Sequence, residues 1–201
     1  MVRVKLAPIG LAAAFLCSTG VALAAPFKCP QTGGEFVFGQ EANVNSLDQP
    51  ASNTISTRNI AMNIFETLMT RDENNNAITD LAESYAESPD LLTYTFKLRQ
   101  GVKFHNGKPM TSADVLASFD RYNKVGLERG MFKNAAGWDA PDASTFVIRM
   151  KQPQPTFIEQ ISPFSVPIVI IPAEFKDDPA MQLPSSVPGR GSWSISRRAA
   201  R

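Results

Sequence analysis

Few side chains in this 201-residue sequence have types and spacings that could do chemistry. His105 is the only histidine. As a general base it would need a nucleophile and an orienting group within hydrogen-bond reach. No Gly-x-Ser-x-Gly motif accompanies it, and a single imidazole without a second histidine or a nearby cysteine makes a poor zinc site. His105 therefore reads as structural, against the alternative of an exported hydrolase that uses it. The stretch Asp72 to Glu83, DENNNAITDLAE, puts Asp72, Asn74, Asn76 and Glu83 at the first, third, fifth and twelfth positions of a calcium loop. Ala77, however, stands where such a loop needs glycine for its sharp turn, and Thr79 where it is usually apolar. A hairpin turn with a β-run ahead of the next helix is the favoured reading, against a calcium-stabilised secreted module. Met62 and Met69 read as packing residues, because thioether sites need several soft ligands converging. No catalytic residue, metal site or cofactor is expected.

The N-terminus has the pattern of an export leader: Arg3 and Lys5, an apolar run from Leu6 to Leu16, and the small-x-small triplet Ala22-Leu23-Ala24. The run is short of the roughly 20 residues a membrane span needs. Bulky Phe15 and Leu16 before Cys17 argue against lipidation there. Cleavage after Ala24 leaves one cysteine, Cys29, which cannot form an internal disulfide. The remainder suffices for one domain with a real core, or two small ones. The total charge is +1, but the leader holds two cations and residues 185–201 hold four arginines and no acid. The body between them is therefore acidic, at −5. That excludes a nucleic-acid partner, and the basic tail looks foreign to the body.

The elements that would position any site follow from periodicity. Thr93 to Arg99 alternates, with Tyr94, Phe96 and Leu98 on one face, which predicts a half-buried strand. Val102 and Phe104 make a short second run, closed by the turn pair Asn106-Gly107. Thr111 and Asp114 form a capping box that opens a helix, with Met110 and Val115 placed for a hydrophobic staple. Val115, Leu116, Phe119 and Tyr122 then share a helical face. Thr145 to Met150 alternates like the Thr93 strand and should pair with it. Glu35 to Gln40 predicts a short first strand, and Asn45 to Thr57 a polar loop. Arg58 to Thr70 predicts an amphipathic helix, from Ile60, Ile64 and Leu68. Tyr122 to Asp142 reads as loop. Phe157, Ile158 and Ile161 suggest a short helix, and Ser165 to Ile171 a strand buried on both faces, bent or at an edge because of Pro167.

The block FKLRQGVKFHNGKPMTSADV, Phe96 to Val115, resembles the signature of family 5 extracytoplasmic solute-binding proteins, the peptide- and nickel-type receptors of ABC importers. The resemblance runs from about Glu35 to Leu183. Asp80 and Tyr85 depart from it, standing where the family often has proline and tryptophan. It implies an α/β fold with mixed sheets, of the type II periplasmic-binding-protein kind, of which this sequence holds the first lobe, incomplete. It also implies noncovalent binding of peptides or similar small solutes, a membrane permease of an ABC importer as partner, and a periplasmic monomer. The resemblance makes Asn53 and Thr54 pocket candidates, against an ordinary solvated loop. It makes Met131, Phe132 and Trp138 cleft candidates, against anchors that pin their loop. Phe164 and Ser165 are cleft candidates on resemblance alone. The expected domains are a leader over 1–24, the first part of the lobe over 25–57, a side subdomain over 58–155, a return into the lobe over 156–184, and a disordered tail over 185–201. Pro188-Gly189-Arg190-Gly191-Ser192-Trp193 keeps only the outline of a family turn, and the residues after it match nothing in the family. A truncated or frameshifted product is expected, one that binds poorly or not at all because both lobes contribute contacts.

Overall fold

The computed structural model describes residues 46–162, 167–177 and 195–196. The expected leader, Cys29, the first strand Glu35–Gln40, Phe164, Ser165 and nearly all of the basic tail lie outside the described residues. The chain runs through α1 (Ile55–Ala61), β1 (Met69–Arg71), β2 (Ala77–Thr79), β3 (Ala82–Glu87), β4 (Thr93–Leu98), β5 (Lys103–Phe104), α2 (Ser112–Val125), β6 (Ala135–Asp142), β7 (Thr145–Met150), α3 (Phe157–Ile161) and β8 (Ile195–Ser196).

The alternation in β4 buries Tyr94, Phe96 and Leu98 and leaves Lys97 in solvent. The matching alternation in β7 buries Phe146, Ile148 and Met150. The two strands pair antiparallel, as their shared pattern predicts, with Phe96 opposite Phe146 and Tyr94 opposite Ile148. β3 adds to the other side of β4 and β6 to the other side of β7, giving an antiparallel sheet in the order β3-β4-β7-β6.

Helix α2 lies on this sheet through the face that its sequence marks out. Val115, Phe119 and Tyr122 are fully buried, and the Phe119 ring sits 4.8 Å from that of Phe146. Burying one such ring contributes about 1.5–3 kcal/mol, and truncating Phe119 to alanine would cost about 3–5 kcal/mol. The helix starts where the capping box predicts: Thr111 N–H donates to Asp114 Oδ2 at 2.9 Å, and the Thr111 side chain accepts from the Asp114 backbone. It stops at Gly126. A Cβ there would lie 2.5 Å from the Tyr122 carbonyl oxygen, so only glycine fits.

One face of α2 also grips the strap Ile171–Asp177. Asp114 accepts from Ala173 N–H at 2.9 Å, and Ser118 Oγ accepts from Ile171 N–H at 2.9 Å. Arg121 donates to the Lys176 carbonyl at 3.3 Å, and Lys124 pairs with Asp177 at 3.2 Å. Arg121 also holds Asp48 at 2.5 Å, so one side chain ties the segment before α1 to the strap.

Several expectations need correction. The helix expected over Arg58–Thr70 is shorter and earlier: Thr54 caps α1, which ends at Ala61. Ile60, Ile64 and Leu68 satisfy a helical period, but Met69–Arg71 pairs with Ala77–Thr79, and Thr67 bridges Val169. That cross-strand pairing outweighs local propensity. The hairpin turn at Asp72 forms, but a strand, β3, follows it rather than a helix. The expected loop Tyr122–Asp142 instead holds the end of α2, a 3₁₀ segment Arg129–Asn134 and strand β6. Gly137 and Pro141 mask that strand, which lies at a sheet edge and carries register shifts, where both residues are tolerated. In the run read as a doubly buried strand, Ile168 to Ile171 are all buried, but Val169 makes only the single bridge to Thr67. Ile195–Ser196 pairs antiparallel with Lys103–Phe104, in the stretch read as tail.

Candidate functional site

A cleft of about 790 Å³ opens where β1, the 3₁₀ segment Arg129–Asn134, the run after β7 and α3 meet. Its walls are built from short anchored pieces. In the 3₁₀ segment, Phe132 is buried against the Phe119, Tyr122 and Trp138 rings, at 5.6, 5.9 and 5.0 Å. That anchor leaves its neighbours Met131, Lys133 and Asn134 on the cleft wall. In α3, Phe157, Ile158 and Ile161 are buried, which leaves Glu159 and Gln160 facing the cleft. The prolines of Gln152-Pro153-Gln154-Pro155 have no N–H to extend the sheet, and both glutamines line the cleft.

Hydrogen bonds fix this wall. Arg71 donates to the carbonyls of Ser162 at 2.7 Å, Asn75 at 2.7 Å and Glu159 at 2.8 Å, and it pairs with the Glu159 carboxylate at 2.8 Å. One guanidinium thus joins the β1–β2 hairpin to α3, a fork geometry that lysine cannot reproduce. Asn134 Nδ2 donates to Gln154 Oε1 at 3.2 Å, Gln154 Nε2 to Gln160 Oε1 at 2.6 Å, and Gln160 Nε2 to Thr156 Oγ1 at 3.3 Å. Three amides therefore run as a chain with one donor direction. Tyr94 Oη donates to the Gln154 carbonyl at 2.8 Å. Burial raises the Tyr94 hydroxyl pKa. Arg71, Lys133 and Lys151 against Glu128 and Glu159 give the lining a net positive charge on an otherwise acidic body.

The residues singled out from sequence do not converge on one place. Met131 lines the cleft. Phe132 and Trp138 lie in the aromatic cluster behind it, with Trp138 Nε1 donating to Asp120 at 2.9 Å. Asn53 is exposed, and Thr54 caps α1 by accepting from Thr57 N–H. His105 is exposed in the turn between Phe104 and Lys108. Asp72 spends its oxygens on its own turn, accepting from Asn74 N–H, Asn76 N–H and Asn76 Nδ2 at 2.8–2.9 Å. These bonds hold its carboxyl below the usual range, the Asn76 side chain foremost. Among the described residues no cluster of three His, Cys, Asp or Glu could hold a metal ion. Sequence reasoning missed Arg71, Lys133, Asn134, Lys151, Gln154 and Gln160. They belong to no motif, and their one signal was the Gln-Pro-Gln-Pro run, polar and unable to extend a sheet.

The family "Bacterial extracellular solute-binding proteins, family 5 Middle" matches residues 76–200. The glutathione-binding protein GsiB of Escherichia coli O1:K1 is 35% identical over 146 residues, covering 71% of this chain. Among solved structures, the binding protein AgaA from A. tumefaciens R10, in complex with agropinic acid, superposes with a TM-score of 0.61 at 31% identity over 67% of this chain. MoaA from the same source, in complex with mannopinic acid, gives 0.59 at 30% identity over 66%. The chain spans 28% of the length of each of these three relatives.

Proposed function

The chain belongs to the bacterial extracellular solute-binding proteins, family 5, and from that premise we propose that it is part of the substrate-binding component of an ABC importer. It holds a peptide or similar small solute noncovalently outside the cytoplasm and presents it to a membrane permease. It acts as a monomer, exported by a leader cut after Ala24. Residues 25–57 and 156–184 belong to one lobe, with 58–155 as its side subdomain. The observation that carries the reading is the family match, whose residues include most of the cleft wall, from Glu128 to Gln160. The relatives support it: one is named for binding glutathione, and two were solved with small organic acids. The cleft's size falls within the usual range for small-molecule pockets, about 300–1,000 Å³.

Of the candidate residues, Met131 supplies an apolar contact to the solute. Phe132 and Trp138 support that wall from behind. Asn53, Thr54, Phe164 and Ser165 contribute from other segments. Arg71 and the amide chain Asn134, Gln154 and Gln160 hold the wall in shape. Binding requires no chemistry from His105, which lies in a solvated turn away from this wall.

Titration of the full chain with a tripeptide library, followed by calorimetry and NMR, tests the reading. Saturable, weak binding is expected, and the peptides should be recovered intact. His105→Ala should bind as the parent does. No saturable binding by any peptide, or conversion of a peptide, would sink the proposal.

A further inference from the structure

The sheet β3-β4-β7-β6 has two edges, and they are built differently. The β6 edge is blunted: Pro141 has no N–H to offer, Gly137 has no side chain to pack, and register shifts break the line of the strand. The β3 edge holds neither proline nor glycine, and its one register shift falls between Ala82 and Ser84, ahead of the run 84–87. The direction of its backbone groups follows from β4. Thr93 O accepts from Ser88 N–H on the β3 side, whereas Leu98 N–H and Leu92 O bond Ser144 and Met150 on the β7 side. Odd-numbered residues of β4 therefore face β3. Thr95 and Lys97 bond Ala86 and Ser84 opposite them, so Tyr85 and Glu87 turn their N–H and C=O outward. Among the described residues no strand answers these groups.

The side chains at this edge say what chemistry would answer. Tyr85 is 38% exposed, and its ring stacks 5.9 Å from that of Phe96, an apolar platform already held in place. Glu83 and Glu87 are exposed and have no cationic partner among the described residues. The nearest cations of β4 and its turn are engaged elsewhere: Lys97 donates to Thr145, and Arg99 to the Asp80 carbonyl. Burial, then the charges of Glu87 and Glu159, raises the Tyr85 hydroxyl pKa, so the platform lies in a negative field. A second copy of β3 paired antiparallel about Tyr85 would set Glu83 against Glu87 at both ends, and like charges directly opposite are destabilising. We propose that the β3 edge takes an extended peptide segment with lysine or arginine at alternate positions. Its backbone bonds the outward groups of Tyr85 and Glu87, and its cations meet the carboxylates of Glu83 and Glu87. None of these residues lines the cleft, so the proposal stands apart from the solute-binding reading.

The test uses the full chain, labelled with nitrogen-15, and the peptide acetyl-Thr-Lys-Val-Lys-Val-Thr-amide. One control peptide carries glutamate in place of lysine, and another carries methyl groups on its four central backbone nitrogens. The lysine peptide should bind about tenfold tighter than the glutamate peptide, as two exposed charge pairs allow. It should also slow hydrogen exchange at Tyr85 and Glu87, and the methylated peptide should not bind. Glu87→Pro removes one outward N–H at a place where an edge strand tolerates proline. It should abolish binding while the amides of β4 and β7 keep their protection. Glu83→Lys with Glu87→Lys keeps every N–H and should reverse the preference, in favour of the glutamate peptide. Equal binding of the two charged peptides, undiminished binding of the methylated one, or a preference that the double lysine variant leaves unchanged overturns the proposal. Failure of every peptide to bind also overturns it. So does concentration-dependent dimerisation that Glu87→Pro removes, which would make a second copy the occupant.

Discussion

Two aspartates in this molecule make similar numbers of hydrogen bonds and do different work. Asp72 accepts from Asn74 and Asn76, no more than four residues away, and closes the β1–β2 turn around Asn75, whose φ is +65°. Asp114 accepts from Thr111 and from Lys108, three and six residues before it. It also accepts from Ala173, 59 residues later in the chain. The first carboxylate shapes a loop that water touches. The second is 1% exposed and holds a helix start, a turn lysine and the strap together. When Asp72 is lost, solvent replaces most of its bonds. When Asp114 is lost, the partly buried N–H groups of Thr111 and Ala173 are left without their acceptor, which is the more costly event.

The sharpest way to break this comparison is Asp114→Ala. It removes an N-cap partner, worth about 1 kcal/mol, and leaves the Ala173 N–H with no acceptor, at a further cost of about 1–3 kcal/mol. A loss of about 3 kcal/mol is expected, read as a lower urea midpoint with an unchanged slope. Hydrogen exchange at Ala173 and Ile171 should accelerate, because both amides are held by α2. Asp114→Asn should lie between parent and alanine, since its amide keeps one acceptor but turns a donor toward other donors. If Asp114→Ala costs no more than a surface change, the strap is held by Ser118, Arg121, Lys124 and packing without it, and the contrast with Asp72 disappears.

The same contrast separates what could be read in the sequence from what could not. The capping box at Thr111 and Asp114 was legible, because both partners sit within one turn of helix. The pairing of β4 with β7 was legible from two matching alternations. The second partner of Asp114, Ala173, had no local signature. The strand at Met69–Arg71 hid inside a helical period, since Leu68 is buried under either reading. The strand at Ala135–Asp142 hid behind Gly137 and Pro141. The cleft was least legible, because its polar residues come from four segments and are positioned by buried neighbours such as Phe132 and Phe157. Aromatic residues drew attention as candidate walls, yet Phe132 packs behind the wall, and the residues on the surface are its less conspicuous neighbours Lys133 and Asn134.

A middle case sharpens the comparison. Glu174 joins the Asp114 network from outside, pairing with Lys108 at 2.6 Å while 45% exposed. The Lys108 hydrogen bond holds the Glu174 carboxyl below its ordinary range. Solvent screens an exposed pair of this kind, so Glu174→Gln should cost about 0.5 kcal/mol at low salt. At 0.5 M salt the cost should vanish, because charges near the surface are screened within a few ångströms. A salt-independent cost above that of an ordinary surface pair would place Glu174 with Asp114 as part of the buried hold on the strap.

The smallest effect at neutral pH belongs to the local, exposed carboxylates, and acid is what reveals it. Asp142 turns β6 into β7, accepting from Ser144 N–H at 2.8 Å and the Ser144 hydroxyl at 2.9 Å. The Thr145 hydroxyl, followed by these Ser144 bonds, holds its carboxyl down to about 2, against an ordinary 3.8. A carboxyl lowered on folding favours the folded state wherever the unfolded chain would be ionised. That contribution is complete above about pH 4 and drains away as pH falls toward 2. Asp142→Asn should therefore change Tm little at low pH, where the native carboxyl is itself protonated, and lower it slightly at pH 7. Asp72→Asn should behave in the same direction. Thermal melts of parent and variants from pH 7 to pH 2 check this: the curves should converge in acid. Variants that stay below the parent at every pH would mean that these turns depend on the shape of the carboxylate rather than its charge, and the two aspartates would then differ only in how many segments they join.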